Sequence, residues 1–208
     1  MTQPATGSTP RRRGPYANGE RTRAALVDAA LDVFAKKGSQ RLSIRQIAEQ
    51  IGTSHTALLH HFGSKDVLLE AVLARRRERE GPEQRALIRR LGLLEAVPAI
   101  MNHNATIPGV LQLDTVLRAE ALGQDHAARE TIHKQQTEFL ASVRIELELE
   151  DRAGHLRDDL DLDVVARLIT SLIEGIQVAW LEDRSVDMGA HLASFMDLIR
   201  KPATPTSA

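Results

Sequence analysis

Residues 43–60 carry start and stop signals so closely spaced that only two short helices fit between them. Ser43 and Gln46 have the spacing of a capping box, in which side chains bond to backbone N–H groups at a helix start. Gly52 ends this first segment, and Ser54 is placed to cap the second. The first segment has an apolar stripe formed by Ile44, Ile47, Ala48 and Ile51. Two short helices around a tight glycine-containing turn predict a helix-turn-helix, whose second helix enters the major groove of DNA.

The rest of the sequence also predicts helices. No stretch sustains the period-two alternation of a strand, so we expect no sheet. Gly81-Pro82 is expected to end the fourth helix. The predicted helices cover about 21–37, 43–51, 54–60, 64–80, 84–105, 108–122, 127–152, 162–182 and 187–200. The prediction is an all-α fold of about nine helices.

Charge divides the chain into two unlike parts. Residues 1–80 contain 14 Lys and Arg against 8 Asp and Glu, whereas residues 81–208 contain 13 against 20. A basic front joined to an acidic rear is typical of a nucleic-acid-binding domain followed by a domain with another role. Chance clustering of solvated charges is the alternative.

Composition removes several classes of protein. The chain has no cysteine, which excludes disulfides, thiol catalysis and thiolate metal sites. No apolar run reaches the roughly 18 residues of a membrane span, and the polar, basic first twenty residues do not resemble a secretory signal. We expect a soluble, cytoplasmic protein with no cofactor.

Three histidines, His55, His60 and His61, lie in and beside the second short helix. Metal ligands on one helix face are three or four residues apart, a spacing that no pair of these histidines has. Catalysis requires a nearby nucleophile and an orienting carboxylate, and the nearest carboxylate is Asp66. We interpret His55 and His60 as donors toward DNA, with ordinary surface histidines as the alternative, and expect His61 to pack at the helix junction.

Lys65 follows the predicted cap Ser64 at a helix N-terminus, where the helix dipole disfavours a cation. A DNA phosphate at this place would be bound by the free backbone N–H groups and by Lys65 together. A solvated lysine is the alternative.

Three stretches resemble the TetR family of bacterial transcriptional regulators. They are RAALVDAALDVFAKKG, LSIRQIAEQIGTSHTALLHHFGSKDVLLEAV and, more loosely, LRDDLDLDVVARLITSLIEGIQVAWLEDRSVDMGAHLASFMDLI. The resemblance implies that Ser54 to His60 is the recognition helix and that Thr53, Leu59, His60 and Lys65 lie where the family meets DNA. Leu59 departs from the usual Tyr and lacks its phosphate-binding hydroxyl, and Thr56-Ala57 replaces the common Gly-Thr. With the residues inferred above, the expected DNA-binding set is Arg45, Thr53, Ser54, His55, Thr56, Leu59, His60 and Lys65.

The resemblance and the composition together indicate the domain organisation. We expect a disordered basic arm over 1–19, a TetR-type helix-turn-helix domain over 20–80, a helical effector-binding and dimerisation domain over 81–201 and a disordered tail over 202–208. The apolar stripe of the helix at 162–182 is too wide for one core contact, which favours a four-helix interface with a second copy over a helix buried in a monomer. The expected interface residues are Val165, Leu168, Leu172, Gly175, Ile176, Leu192, Phe195 and Ile199.

The middle helices predict a ligand pocket, because a mostly apolar cavity with a few polar groups is the usual small-molecule site. The expected lining residues are Met101, His103, Leu113, Leu117, Phe139 and Val143. A solvated polar corner around His103 is the alternative.

One other group of residues suggests a metal. His126, Glu130 and His133 share a helix face, and Glu-x-x-His is half of the motif in ferritin-like di-metal bundles, which need two such motifs. Our main interpretation is a homodimeric, non-enzymatic, ligand-responsive DNA-binding regulator, most simply a repressor, that binds a palindromic operator. Its partners are operator DNA, a second copy and an apolar or amphipathic effector. The alternatives are a metal-dependent helical-bundle enzyme and a DNA-binding protein without an inducer.

Overall fold

The computed structural model describes residues 15–37, 42–123 and 129–202, and in these ranges the regular structure is entirely helical. The helices are α1 (Pro15–Lys37), α2 (Ile44–Gln50), α3 (His55–Phe62), α4 (Lys65–Leu91), α5 (Leu93–Asn104), α6 (Pro108–Glu120), α7 (Arg129–Arg152), α8 (Leu162–Glu182) and α9 (Met188–Ile199). An isolated bridge joins Leu156 to Arg200. The predicted all-α architecture of about nine helices is confirmed.

Side-chain caps start the helices of the front half where the sequence predicts them. Ser43 and Gln46 form the predicted capping box, and Ser54 and Ser64 accept backbone N–H bonds at the starts of α3 and α4. Helix α1 differs from the prediction, because it begins at Pro15, within the expected arm. Pro is well tolerated in the first turn of a helix, where its missing N–H has no partner to lose. Residues 1–14 and 203–208 lie outside the described ranges.

The predicted break at Gly81-Pro82 is wrong, because α4 continues through Pro82 to Leu91. The helix ends instead at Gly92, whose φ of 78° lies in the left-handed region that favours glycine. The carboxylate of Glu150, on α7, lies against Gly92 and accepts the backbone N–H of Leu93 at 2.6 Å. This buried cap starts α5 and leaves no room for a side chain at position 92. The single helix predicted over 84–105 is therefore the end of α4 followed by α5.

Two apolar cores hold the helices together. The front core is built from α1, α2, α3, the first half of α4 and three residues of α6, namely Val110, Leu113 and Leu117. The rear core is built from α5, α7, α8 and α9, with Leu111 of α6. Helix α6 thus packs against α1, although it lies in the rear half of the sequence. The second half of α4 leaves the front core and runs beside the rear helices.

Helix α8 is long and apolar enough to span a membrane by length and composition alone, which no run of the sequence led us to expect. Core helices of soluble proteins have the same composition, and seven α8 residues are buried in the protomer. A third of its most apolar window is buried, so much of its apolar surface faces outward.

Candidate nucleic-acid interface and ligand cleft

The turn between α2 and α3 is fixed by local hydrogen bonds. Gly52 has φ 72°, and Thr53 N–H donates to the carbonyl of Ala48 at 2.9 Å. Ser54 Oγ then accepts the N–H of Ala57 at 3.0 Å, which starts α3 at His55. These contacts lie within ten residues, so the direction of α3 relative to α2 is set by the motif itself.

Helix α3 has one face in the core and one in solvent. Leu58 is 0% and Phe62 is 5% exposed, and both pack into the front core. The opposite face consists of His55, Thr56, Leu59 and His60, all of them exposed. A short helix with a firmly packed inner face presents its outer side chains in a fixed geometry, as recognition of base edges requires.

The eight residues of the predicted DNA-binding set all reach the surface. Thr53 and Lys65 are half-buried, and the other six are exposed. Lys65 is the first residue of α4, directly after the Ser64 cap, whose Oγ accepts the N–H of Val67 at 3.3 Å. The exposed face of α3 and the N-terminus of α4 are thus separated by only two residues of the chain. Their contact with DNA stays a prediction.

Helix α1 packs against α4 and contacts the C-terminal end of α3. The guanidinium of Arg23 lies 4.8 Å from the ring centroid of Phe62, a cation–π contact at the end of α3. His61 is half-buried beside the same ring, at 6.4 Å between centroids, as expected for a residue at the helix junction. Its neighbour His60 points to solvent.

Ion pairs join α1 to α4 just behind the helix-turn-helix. Arg75 Nε donates to Asp28 Oδ1 at 2.6 Å, and Arg79 lies 2.9 Å from the same oxygen. The hydrogen bond from Arg75 and the charges of Arg79 and Arg75 lower the pKa of Asp28, although burial opposes the shift. These contacts tie the first half of α4 to the DNA-facing unit.

A large open cleft lies between α7 and the part of α4 from Leu73 to Ile88. It has a volume of about 1270 Å³ and is lined by α4, α5, α6, α7 and α8. Its apolar floor includes Leu93, Val97, Met101, Val143 and Ile173. A mostly apolar concave surface of this size accommodates a small organic molecule.

Of the six predicted pocket residues, Met101, Phe139 and Val143 line this cleft. Leu113 and Leu117 do not, because they are buried in the front core against α1. The opposite, more polar face of α6 lines the cleft through Asp114, Thr115, Arg118 and Ala119. His103 is exposed at the end of α5, outside the lining.

The charged wall of the cleft was missed by the sequence analysis. Arg76, Arg77, Glu80 and Arg85 of α4 face it, and the predicted break at residues 81–82 had placed part of this wall outside the helix. One sequence signal could have predicted this wall. Arg77 and Arg85 are about two helical turns apart with Gly81 midway between them, which would place both arginines on one side of a continuous helix. Arg76 bonds to Glu80 at 2.9 Å and to the buried Asn104 at 2.7 Å.

Arg76 and Asn104 link α4 to the floor of the cleft. Asn104 is 5% exposed at the C-terminal end of α5, and its amide Nδ2 lies 3.9 Å from the sulfur of Met101. Gln177 of α8 approaches the same sulfur at 3.7 Å. A molecule on the cleft floor would therefore lie against Met101. Met101 contacts Asn104, and Asn104 accepts a hydrogen bond from Arg76 of α4.

The expected dimer residues fall into two groups. Val165, Ile176, Leu192 and Ile199 are buried in the rear core of their own protomer and offer little surface to a partner, so their part in an interface stays a prediction. Leu168 and Gly175 are exposed, and Leu172 and Phe195 are half-buried. Further exposed apolar residues of α8 and α9, absent from the predicted set, are Val164, Val178 and Leu198. Gly175 has open space around it.

The described residues contain no group of three or more His, Cys, Asp or Glu side chains arranged to hold a metal ion. Glu130 and His133 are exposed and line the cleft. His126, the third member of the predicted group, lies outside the described ranges.

Comparisons with known proteins agree with this geometry. The profile described as bacterial regulatory proteins, tetR family, matches residues 26–72, which include α2 and α3. The HTH-type transcriptional regulator SrpR of Pseudomonas putida is 30% identical over 198 residues, covering 91% of each chain. An HTH-type transcriptional repressor of Mycobacterium tuberculosis is 43% identical over 72 residues, 35% of this chain and 36% of that one.

The fold is also similar to a solved structure. A transcriptional regulator from Saccharomonospora viridis, in complex with choline, aligns with a TM-score of 0.70 at 23% identity, over 88% of this chain and all of the other. The family and its curated relatives are transcriptional regulators and not enzymes, so the helical-bundle enzyme considered as an alternative is excluded.

Proposed function

This chain belongs to the TetR family of bacterial regulatory proteins and is a DNA-binding transcriptional regulator, and we propose that it is a homodimeric repressor that a small molecule releases from a palindromic operator. The observation that carries this proposal is the position of α4. This long helix begins directly after the outward-facing α3, and further along it forms one wall of the large open cleft. The protein acts in the cytoplasm, where the DNA is.

In this proposal α3 lies in the major groove and Lys65 binds a backbone phosphate. His55 and Thr56, in the first turn of α3, face base edges, because the N-terminal residues of a recognition helix approach the bases most closely. His60, at the other end of the exposed face, contacts phosphate. Lys65 contributes its charge at the free N–H groups of α4, where an anion is favoured.

The proposed dimer forms through the outer faces of α8 and α9. Leu168 is 49% and Leu198 is 68% exposed, and both lie on helices whose other faces are in the rear core. Water-exposed apolar residues on two adjacent helices are stabilised by burial against the same faces of a second copy. A dimer explains the apolar length of α8 without a membrane, and it supplies two recognition helices for a palindrome.

Release follows from the position of α4. Its N-terminus is at the proposed phosphate contact, and its residues from Leu73 to Ile88 form a wall of the cleft. A ligand that moves Asn104 or Arg76 changes the tilt of α4 and with it the separation of the two recognition helices. That separation must match about one turn of DNA, roughly 34–36 Å, so a small tilt costs affinity. The choline complex of the Saccharomonospora viridis regulator supports a small-molecule role for this fold.

Selection from a random pool of duplex DNA with the purified protein tests the proposal. We expect enrichment of an inverted repeat with half-sites about one helical turn apart. The His55→Ala variant should enrich a relaxed motif, and Arg89→Ala, which removes an exposed charge of α4 far from α3, should enrich the wild-type motif. Recovery of unrelated sequences by the wild-type protein would show that it is not an operator-specific regulator.

A further inference from the structure

We propose that the cleft binds an amphipathic organic anion, with Arg77 as the residue that holds its carboxylate or similar acidic group. The inference rests on the proposed ligand-responsive function and names the chemical class of the ligand. Its basis is the difference between the charged groups of the cleft that already have partners in the protein and those that do not.

Half of the charged side chains along the cleft form ion pairs with one another. Arg76 pairs with Glu80 at 2.9 Å, and Arg118 pairs with Asp114 at 2.7 Å and approaches Glu174 at 3.7 Å. Gln136 also donates to Glu174, so the acidic groups on α6 and α8 have their hydrogen-bond donors. A ligand gains little from groups whose partners are already in place.

Arg77 and Arg85 differ from these residues, since neither forms a hydrogen bond or salt bridge with any described residue. They lie on one face of α4, two turns and thus about 12 Å apart. Gly81, between them, leaves room for the Arg85 guanidinium, which would lie 3.0 Å from a side-chain carbon at position 81. The α4 wall therefore presents two unpaired cations to the cleft.

The surroundings of Arg77 favour an anion. Desolvation by the surrounding protein is the main cause that lowers the pKa of Arg77, and the neighbouring Arg118 and Arg76 act in the same direction. The charges of Asp114 and Glu138 oppose this without forming a salt bridge to it. A carboxylate from a ligand would supply the bidentate partner that guanidinium groups prefer.

The acidic groups around the cleft do not reverse this preference. On the described wall opposite α4, Glu130 and Glu146 of α7 are acidic residues without a hydrogen bond or salt bridge to a described residue, and neither is among the charges that shift the pKa of Arg77. The floor between α4 and α7 is apolar, with Val97 and Met101 in it. A ligand with an acidic group bound to Arg77 and an apolar chain packed on this floor would match both the charged wall and the apolar floor of the cleft.

Isothermal titration calorimetry with three probes that share a decyl chain tests the proposal. The probes are decanoate and decyltrimethylammonium, each below its micelle-forming concentration, and decanol below its solubility limit. We expect decanoate to bind most tightly to the full-length protein. Arg77→Gln and Arg77→Ala should weaken decanoate binding roughly tenfold, the range of a charge-assisted hydrogen bond, and leave decanol binding unchanged. Arg85→Ala should weaken decanoate binding by a smaller factor.

Arg89→Ala is the matched control, because it removes an arginine charge of α4 one turn beyond Arg85, outside the cleft lining. It should leave decanoate binding unchanged. Tighter binding of decyltrimethylammonium, an equal loss of decanoate and decanol affinity in the Arg77 variants, or an equal loss in Arg89→Ala would each overturn the inference.

The outcome is separable from that of the proposed function. If decyltrimethylammonium binds best and releases operator DNA, the protein is a ligand-responsive regulator with a different ligand class. If decanoate binds through Arg77 and leaves operator affinity unchanged, the anion site stands and the release step fails.

Discussion

The α3 surface and the rear cleft are built in opposite ways. The candidate DNA-binding residues from Thr53 to Lys65 are held by caps and turns that act over three to five residues. The cleft is assembled from five helices, with lining residues that extend from Leu73 to Val178. The α3 surface is convex and fixed by its inner packing, whereas the cleft is open and lined partly by unpaired charges. A rigid surface suits one specific DNA sequence, and an open cleft suits a ligand whose binding changes the arrangement of helices.

The largest effect is expected from disrupting the proposed dimer. Leu168→Asp introduces a charge into an apolar α8 face without disturbing the core, because Leu168 is 49% exposed. Operator affinity should fall roughly 10²–10⁴-fold, since the two recognition helices no longer bind as one linked pair. Analytical ultracentrifugation should show monomers. Val116→Asp, on the exposed side of α6, is the control and should remain dimeric; a dimeric Leu168→Asp variant would place the interface elsewhere.

The second prediction compares the buried face of α3 with its exposed face. Leu58→Ala should lower the free energy of unfolding by about 2–5 kcal/mol, because it leaves a cavity in the front core. Its neighbour Leu59 is 36% exposed, so Leu59→Ala should change stability by less than about 0.5 kcal/mol while affecting DNA binding. Urea denaturation followed by circular dichroism measures both. Equal losses of stability would contradict the assignment of inner and outer faces.

Lys65→Ala tests whether the α4 N-terminus meets phosphate. The variant should bind all DNA sequences more weakly by a similar factor, and the slope of log affinity against log salt should fall by about 1 for each phosphate that Lys65 neutralises in the wild type. Lys134→Ala, an exposed lysine on α7, should leave the slope unchanged. An unaltered slope for Lys65→Ala would remove Lys65 from the interface.

The smallest effect concerns the ion pairs that join α4 to α1. Because Arg75 lowers the pKa of Asp28 in the folded state, this pairing stabilises the protein above the ordinary carboxylate pKa of about 3.9 and is lost as the pH falls through the lowered value. The stability difference between wild type and Asp28→Asn should therefore shrink on acidification. Asp32→Asn, whose contact with Arg79 is 3.6 Å, should have a smaller effect at neutral pH. A difference that is constant with pH would exclude this linkage.

The same contrast explains what the sequence could predict. The capping box at Ser43, the Ser54 and Ser64 caps and the glycine turn are local signals, and the structure places each as predicted. The boundary between α4 and α5 depends on Glu150, 57 positions after Leu93 along the chain, and no local pattern announces that contact. The sequence identified apolar residues of α6, α8 and α9 that pack in or beside the two cores. It did not distinguish residues buried in the protomer, such as Leu117 and Leu192, from those left for a ligand or a partner.

The central claim is that the two regions have separate roles joined by α4, and a crossed measurement on two variants tests it most directly. Operator affinity and affinity for a cleft ligand are measured for His55→Ala and Phe139→Ala, each variant alone and with the other partner present. His55→Ala should lose roughly 1–3 kcal/mol of operator discrimination and keep its ligand affinity. Phe139→Ala should keep its ligand-free operator affinity and bind the ligand more weakly, since Phe139 lines the cleft. In the wild type, ligand and DNA should weaken each other by the same factor, typically about 5–150-fold. Loss of ligand-free operator affinity in Phe139→Ala equal to that in His55→Ala, or ligand and DNA binding without mutual effect, would contradict the account.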